Sequence, residues 1–140
     1  MNQDAQTNPA PPPGFEAHYR RSPLTEPWEP IFSRKTERAV ILGLRIAERH
    51  CNGRGFAHGG LITSLADNAM GLSCIQVSPG AKGLVTVNLS IDFLRSADIG
   101  QWLEIETTFV KPGSTLCFTQ AFATADGKPC ARANAVFRVN

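Results

Sequence analysis

Gly59-Gly60-Leu61-Ile62-Thr63-Ser64-Leu65-Ala66-Asp67-Asn68-Ala69-Met70-Gly71-Leu72-Ser73-Cys74-Ile75-Gln76 reads as one helix. Leu61, Leu65, Ala69 and Leu72 recur at helical spacing, and Ile62, Ala66 and Met70 widen the stripe. A helix this apolar is expected to be buried on most sides. It begins at two glycines, preceded by the glycine-rich link Cys51-Asn52-Gly53-Arg54-Gly55-Phe56-Ala57-His58. Asp67, the only charged residue between His58 and Lys82, sits at its middle.

On either side the period changes from helical to two. Before the link, Val40, Leu42, Leu44 and Ile46 share one strand face. After the helix, Val85, Val87, Leu89, Ile91 and Phe93 alternate with polar residues, which predicts one half-buried face. Leu103, Ile105 and Phe109 form a third strand; Leu116, Phe118 and Phe122 follow the Lys111-Pro112-Gly113-Ser114 turn. Asp126-Gly127 signals a hairpin, and Ala131, Ala133, Ala135, Phe137 and Val139 line the last strand. Short turns between successive strands mean an antiparallel sheet. The expected fold is α+β, one buried helix in the concavity of a curved antiparallel sheet.

The chain divides into residues 1–33, a proline-rich tail and arm, and a domain over 34–140. Seven of the ten prolines (Pro9, Pro11, Pro12, Pro13, Pro23, Pro27, Pro30) fall in the first thirty residues, which excludes a long helix or a sheet interior there. Residues 1–14 read as a disordered tail. Phe15, Tyr19, Leu24, Trp28, Ile31 and Phe32 offer anchors for an ordered arm.

Composition removes several function classes. With 14 Lys+Arg against 12 Asp+Glu in 140 residues, the chain lacks the basic excess of a nucleic-acid binder. The polar, proline-rich opening has no apolar signal core, and Asp67 interrupts the longest apolar run, so no membrane segment is expected. Cys51, Cys74, Cys117 and Cys130 show neither zinc spacing nor a disulfide framework, which fits a reducing cytoplasm and implies no metal. No nucleophile elbow or phosphate-binding loop occurs. Adjacent His50 and Cys51 would point to opposite faces of a strand, which disfavours a Cys–His nucleophile. Arg20-Arg21 and Arg34-Lys35 read as solvated charge pairs.

Three features suggest a reacting site. Gly59 and Gly60 leave the first helical N–H groups open to a ligand, where the helix end can polarise a carbonyl. Asp67, set among Leu65, Ala66, Ala69 and Met70, should be partly desolvated and so a better base. Asn52 can orient a water or a carbonyl, and His58 shapes the loop or donates a hydrogen bond. Gly60 and Asp67 lie two turns apart on one side of the helix, separated by roughly 10 Å. One carbonyl can touch both only if two helices pack antiparallel about a two-fold axis, so a dimer with shared sites is expected. Leu61, Met70 and Phe56 are candidate apolar lining for a group bound beside them.

The pattern Asn52-(x)5-His58-Gly59-Gly60-(x)6-Asp67, with Val85-Thr86-Val87-Asn88-Leu89 and the Lys111-Pro112-Gly113-Ser114-Thr115 turn, resembles hotdog-fold acyl-CoA thioesterases of the PaaI-like, phenylacetate-degradation group. The resemblance covers about residues 38–139, and Ser22 to Pro30 is similar to the leader of some bacterial members. It implies a central helix wrapped by an antiparallel sheet. It makes Asp67 a nucleophile or general base, with the Gly59 amide polarising the thioester carbonyl. Asn52 and His58 would position thioester and water, and Thr86 would hold the water. Gly60, Asn88, Phe93, Arg95, Lys111, Gly113, Ser114 and Thr115 would contact CoA. The resemblance further implies a homodimer or dimer of dimers, acyl-CoA as substrate and no cofactor. Two other functions share the fold. One is a hydratase or dehydratase, disfavoured because no acid is spaced to pair with His58. The other is a non-catalytic acyl-CoA-binding module.

Overall fold

The computed structural model describes residues 9–140, so residues 1–8 of the expected tail lie outside the described residues. The strands are β1 (Glu16–Ala17), β2 (Phe32–Lys35), β3 (Val40–Arg45), β4 (Leu84–Phe93), β5 (Trp102–Lys111), β6 (Leu116–Ala125) and β7 (Lys128–Val139). They form one antiparallel sheet in the order β1-β2-β3-β5-β6-β7-β4. Among the described residues one α-helix, α1 (Gly59–Gln76), packs against β3, β4, β5, β6 and β7. The expected α+β architecture holds. The arm adds two strands to the five read from periodicity, and the division at residue 33/34 falls inside β2.

Leu61, Ile62, Leu65, Ala66, Ala69, Met70, Ser73 and Cys74 of α1 are buried, a repeat of adjacent pairs every four residues. This is one helix face rather than most of the circumference; Asp67, Asn68, Leu72 and Ile75 on the far side stay partly or fully exposed. The sheet beneath is floored with small side chains, Cys117, Ala121, Ala123, Ala131, Ala133 and Ala135, so helix and sheet approach closely. Ser73 ties the two layers. Its Oγ donates to the Ala69 carbonyl at 2.7 Å and accepts the buried Val40 N–H at 3.1 Å.

Two expectations about strand faces are corrected. In β6 the core face is Cys117, Thr119, Ala121 and Ala123, while Leu116, Phe118 and Phe122 stand exposed on the outer face. The core side of this sheet holds a buried ring beside α1, Phe137 of β7, at Gly71. In β5 the register shifts between Thr107 and Phe109. The bulge turns Phe109 outward and puts Val110 into the core. The hairpin between β6 and β7 is as read: Asp126 (φ 48°) and Gly127 (φ 81°) are both left-handed, as a primed turn requires.

Outside the main core, Phe15 packs edge-on against Trp102 at 5.1 Å, with Ala39 and Ile41 beneath. This clamps the start of the arm to the outer face of β3 and β5. Gly43 is required there, because a Cβ would run into the Trp102 indole. Among the expected anchors, Phe15 and Ile31 are buried, but Tyr19 and Leu24 are exposed. Thr25 is buried in their place, and its Oγ1 is within 3.0 Å of the Ser22 hydroxyl.

Candidate active site

The loop before α1 is built by Asn52. Its Oδ1 accepts the Arg54 N–H at 2.9 Å and the Phe56 N–H at 3.4 Å, and the left-handed Gly55 (φ 91°) completes the turn. The Asn52 amide oxygen is thus occupied, and only its NH2 is available to a ligand. His58 then caps the helix, Nδ1 accepting the Gly60 N–H at 2.7 Å. An accepting Nδ1 carries no proton, so the tautomer that caps the helix has its ring N–H at Nε2. The Gly60 amide is spoken for. The Gly59 N–H has no hydrogen-bond partner among the described residues, and the Phe93 ring lies over it, 3.1 Å from where a Cβ would stand.

Two turns on, half-buried Asp67 receives a hydrogen bond from the Thr86 hydroxyl to Oδ1 at 2.7 Å. Strand β4 makes this possible by breaking its own alternation. Its pairing with β7 slips between Thr86 and Asn88, leaving Val87 as the extra residue. Leu84 and Thr86 therefore face α1 before the bulge, and Leu89, Ile91 and Phe93 face it afterwards. Val85 and Val87, expected on the buried face, are each 58% exposed. A regular strand would put Thr86 and Leu89 on opposite sides.

Asp67 and Thr86 open into a cleft of about 350 Å³ between α1, the start of β4 and the arm. Its floor includes Leu42, Leu65, Leu72, Leu84 and Phe137; its outer wall is His18, Arg20, Arg21, Ser22 and Thr25. Arg20 and Arg21 are exposed, as expected, but they stand at the rim of this cleft, and no periodicity in the arm signals that placement. Leu61 and Met70 are sealed in the core and line none of this space. A second cleft at the other end of the helix joins Gly59, Phe56, Phe93 and Arg95. Gly113 and Ser114 lie with Ser78 to Ala81 in a shallow groove beyond the C-terminal end of α1, with exposed Lys111 and Thr115 beside them in the chain. Asn88, past the bulge, is exposed on the side away from the helix. One chain thus joins Asp67 to Thr86 and Gly59 to Phe93 and Arg95. It keeps these two groups about 12 Å apart along the helix and leaves the 111–115 turn at its far end.

His50 and Cys51 are structural. His50 is buried; its Nδ1 accepts the Ala47 N–H at 2.9 Å, and its Nε2 lies 2.8 Å from the Trp28 carbonyl, to which it donates. Burial, with Arg49 nearby, holds its pKa below the ordinary histidine value. Burial, then the charges of Glu48 and Asp98, push the Cys51 thiol up, away from the thiolate a nucleophile needs. Among the described residues no three His, Cys, Asp or Glu side chains cluster as a metal site would require. No helix there is long and apolar enough to cross a membrane.

Comparison with known proteins places this geometry. Residues 54–131 match the family described as the thioesterase superfamily. The Pseudomonas aeruginosa protein PA0474, named as an esterase, is 37% identical over 129 residues, 91% of this chain and 96% of that one. Human acyl-coenzyme A thioesterase 13 is 35% identical over 91 residues, 64% of each chain. A hypothetical thioesterase from Streptococcus pneumoniae TIGR4, solved with coenzyme A, superposes with a TM-score of 0.71 at 26% identity, covering 79% of this chain and 88% of that one. The Escherichia coli PaaI protein shares the fold at 22% identity and TM-score 0.70, over 79% of each chain.

Proposed function

The chain belongs to the thioesterase superfamily, and from that footing we propose that it hydrolyses acyl-CoA to the free acid and CoA. The observation that carries the reading is the Thr86–Asp67 hydrogen bond at a cleft with a hydrocarbon floor and a polar outer wall. The acyl-coenzyme A thioesterase and the coenzyme A complex among the similar proteins support CoA as the leaving group. The cleft volume suits a small, medium-chain or aromatic acyl group.

Asp67 acts on the thioester carbonyl as nucleophile, or as general base towards water, with Thr86 fixing the carboxylate and the water. The carbonyl oxygen gains negative charge as the tetrahedral species forms, and an unpartnered N–H at a helix start stabilises it. The Gly59 of the same chain is too far along α1 to do this. The partner subunit's Gly59 supplies the N–H in a two-fold dimer. The free edge of β4, with Val85 and Val87 exposed on it, supports pairing of two copies there. Phe109, Phe118 and Phe122 on the outer face support stacking of two such dimers. Collapse of the tetrahedral species breaks the C–S bond, and the CoA thiolate leaves and takes up a proton. Where water attacked, the acid is released directly; where Asp67 attacked, water then opens the acyl–aspartyl anhydride to give the acid and restore the carboxylate. Phe93 and Arg95 beside Gly59, Gly60, Asn88 and the 111–115 turn are the candidate contacts for the CoA portion. Asn52 orients the carbonyl through its NH2, and His58 holds the helix start open by capping Gly60 rather than Gly59. Among the described residues His58 has no hydrogen bond to an acidic side chain, which speaks against hydration chemistry.

Thiol release from a panel of acyl-CoA esters tests the reading. Asp67→Asn should lower kcat about 100-fold or more while the protein stays folded. Undiminished release by the variant overturns the assignment of Asp67.

A further inference from the structure

The arm brings cations to the cleft that holds Asp67. Arg20, Arg21 and Lys82 line it, against Asp67 as the one acidic lining residue among the described residues. Arg21 is paired with Glu29 at 3.4 Å; Arg20 and Lys82 have no ion-pair partner among the described residues. His18 lies in the same wall, and its Nδ1 is a buried polar atom with no hydrogen-bond partner there. Burial, then the charges of Arg20 and Lys35, keep that ring neutral by lowering its pKa, so it adds hydrogen-bonding capacity without charge. Beneath these groups the floor is hydrocarbon: Leu42, Leu65, Leu72, Leu84 and Phe137.

An apolar floor suits the body of an acyl chain. Unpaired cations and an unsatisfied imidazole nitrogen at the outer wall suit an anionic end. We propose that the arm is the outer wall of the acyl pocket and that Arg20 and Lys82 select acyl groups ending in a carboxylate, so that the preferred substrates are CoA monothioesters of dicarboxylic acids. This rests on Asp67 marking where the thioester reacts. The acyl chain then runs from Asp67 towards the arm, while CoA leaves towards the Gly59 end of the partner. The same cations could meet an anion from another source, the phosphates of CoA, and the experiment separates the two.

The test compares kcat/KM for succinyl-, adipoyl- and suberoyl-CoA with the monoacid thioester of the same length. The expected result is a preference for the carboxylate-ended ester of about tenfold at one length or more, the scale of one charge-assisted hydrogen bond at a partly exposed site. Arg20→Glu and Lys82→Glu, each taken separately, should cancel or reverse that ratio. A reversal is an effect that poor folding cannot imitate. Two results overturn the proposal: equal rates on both ester types in the wild type, or variants that lose both types equally together with inhibition by free CoA. The second outcome would assign the cations to the phosphates. If the wild type cleaves monoacid thioesters without a preference, only the selectivity falls. If it cleaves no thioester at all, the hydrolase reading falls first and takes the selectivity with it.

Discussion

Replacing Thr86 by valine keeps the volume and β-branching of the side chain and deletes one hydroxyl. In a buried setting a hydrogen bond to a carboxylate is worth about 1.5–3 kcal/mol. Here Asp67 is half-buried and Thr86 exposed, so water can replace part of the loss, leaving about 1–2 kcal/mol. If that stabilisation is felt in the transition state, kcat/KM falls about 5- to 30-fold. Folding stability should change little, since the bond ties an edge strand to the open side of the helix. Steady-state thiol release gives kcat and KM; urea unfolding gives stability. Thr86→Ser keeps the hydroxyl and should retain most of the activity. Because the Thr86 hydroxyl donates to Asp67, most of the Thr86→Val loss should vanish in an Asp67→Asn background, leaving only the share owed to the water. Two full, additive losses in the double variant would refute the coupling. So would a Thr86→Val enzyme within twofold of the wild type.

Two other predictions concern the parts that hold the arm. Gly43→Ala sets a methyl group against the Trp102 indole, so it should cost about 1–3 kcal/mol in urea unfolding; an unchanged midpoint would show that the ring moves freely. His50 is neutral in the fold and its pKa is lowered from 6.5, whereas the unfolded chain binds the proton more readily. The contribution is therefore complete above about pH 6.5 and is lost as pH falls below it. The thermal midpoint should drop between pH 7 and pH 5, and less so in His50→Gln; equal slopes in the two proteins would count against His50.

What could be read in the sequence was what a few neighbouring residues determine by themselves. The helix from Gly59 to Gln76, its glycine start and the Asp126-Gly127 turn are local in this sense. So is the spacing that separates Gly59 from Asp67. The face of a strand is not local, because it depends on pairing with another strand. Val87 and Thr108 look like ordinary alternating residues until β7 and β6 set the register and leave each one over. The inversion of β6 has a similar cause. Phe118 and Phe122 are more apolar than Ala121 and Ala123, yet it is the small residues of β6 that face α1. The arm was the hardest case. Its placement over Asp67 depends on Phe15 against Trp102 and on His50 against the Trp28 carbonyl, contacts between segments with no shared pattern.

The bulge at Val87 also governs how roles are transferred between relatives. The hydroxyl that meets Asp67 is counted from the start of β4, whereas the side chains that fill the core are counted from its end. The extra residue shifts the phase between the two counts. A relative whose strand lacks that residue would keep its hydroxyl three-dimensionally in place yet sit one position nearer to the apolar run that follows. An ungapped alignment anchored on that run would then assign the hydroxyl's task to a neighbour pointing into solvent. In this strand, function follows the parity of the backbone and not the column of the alignment.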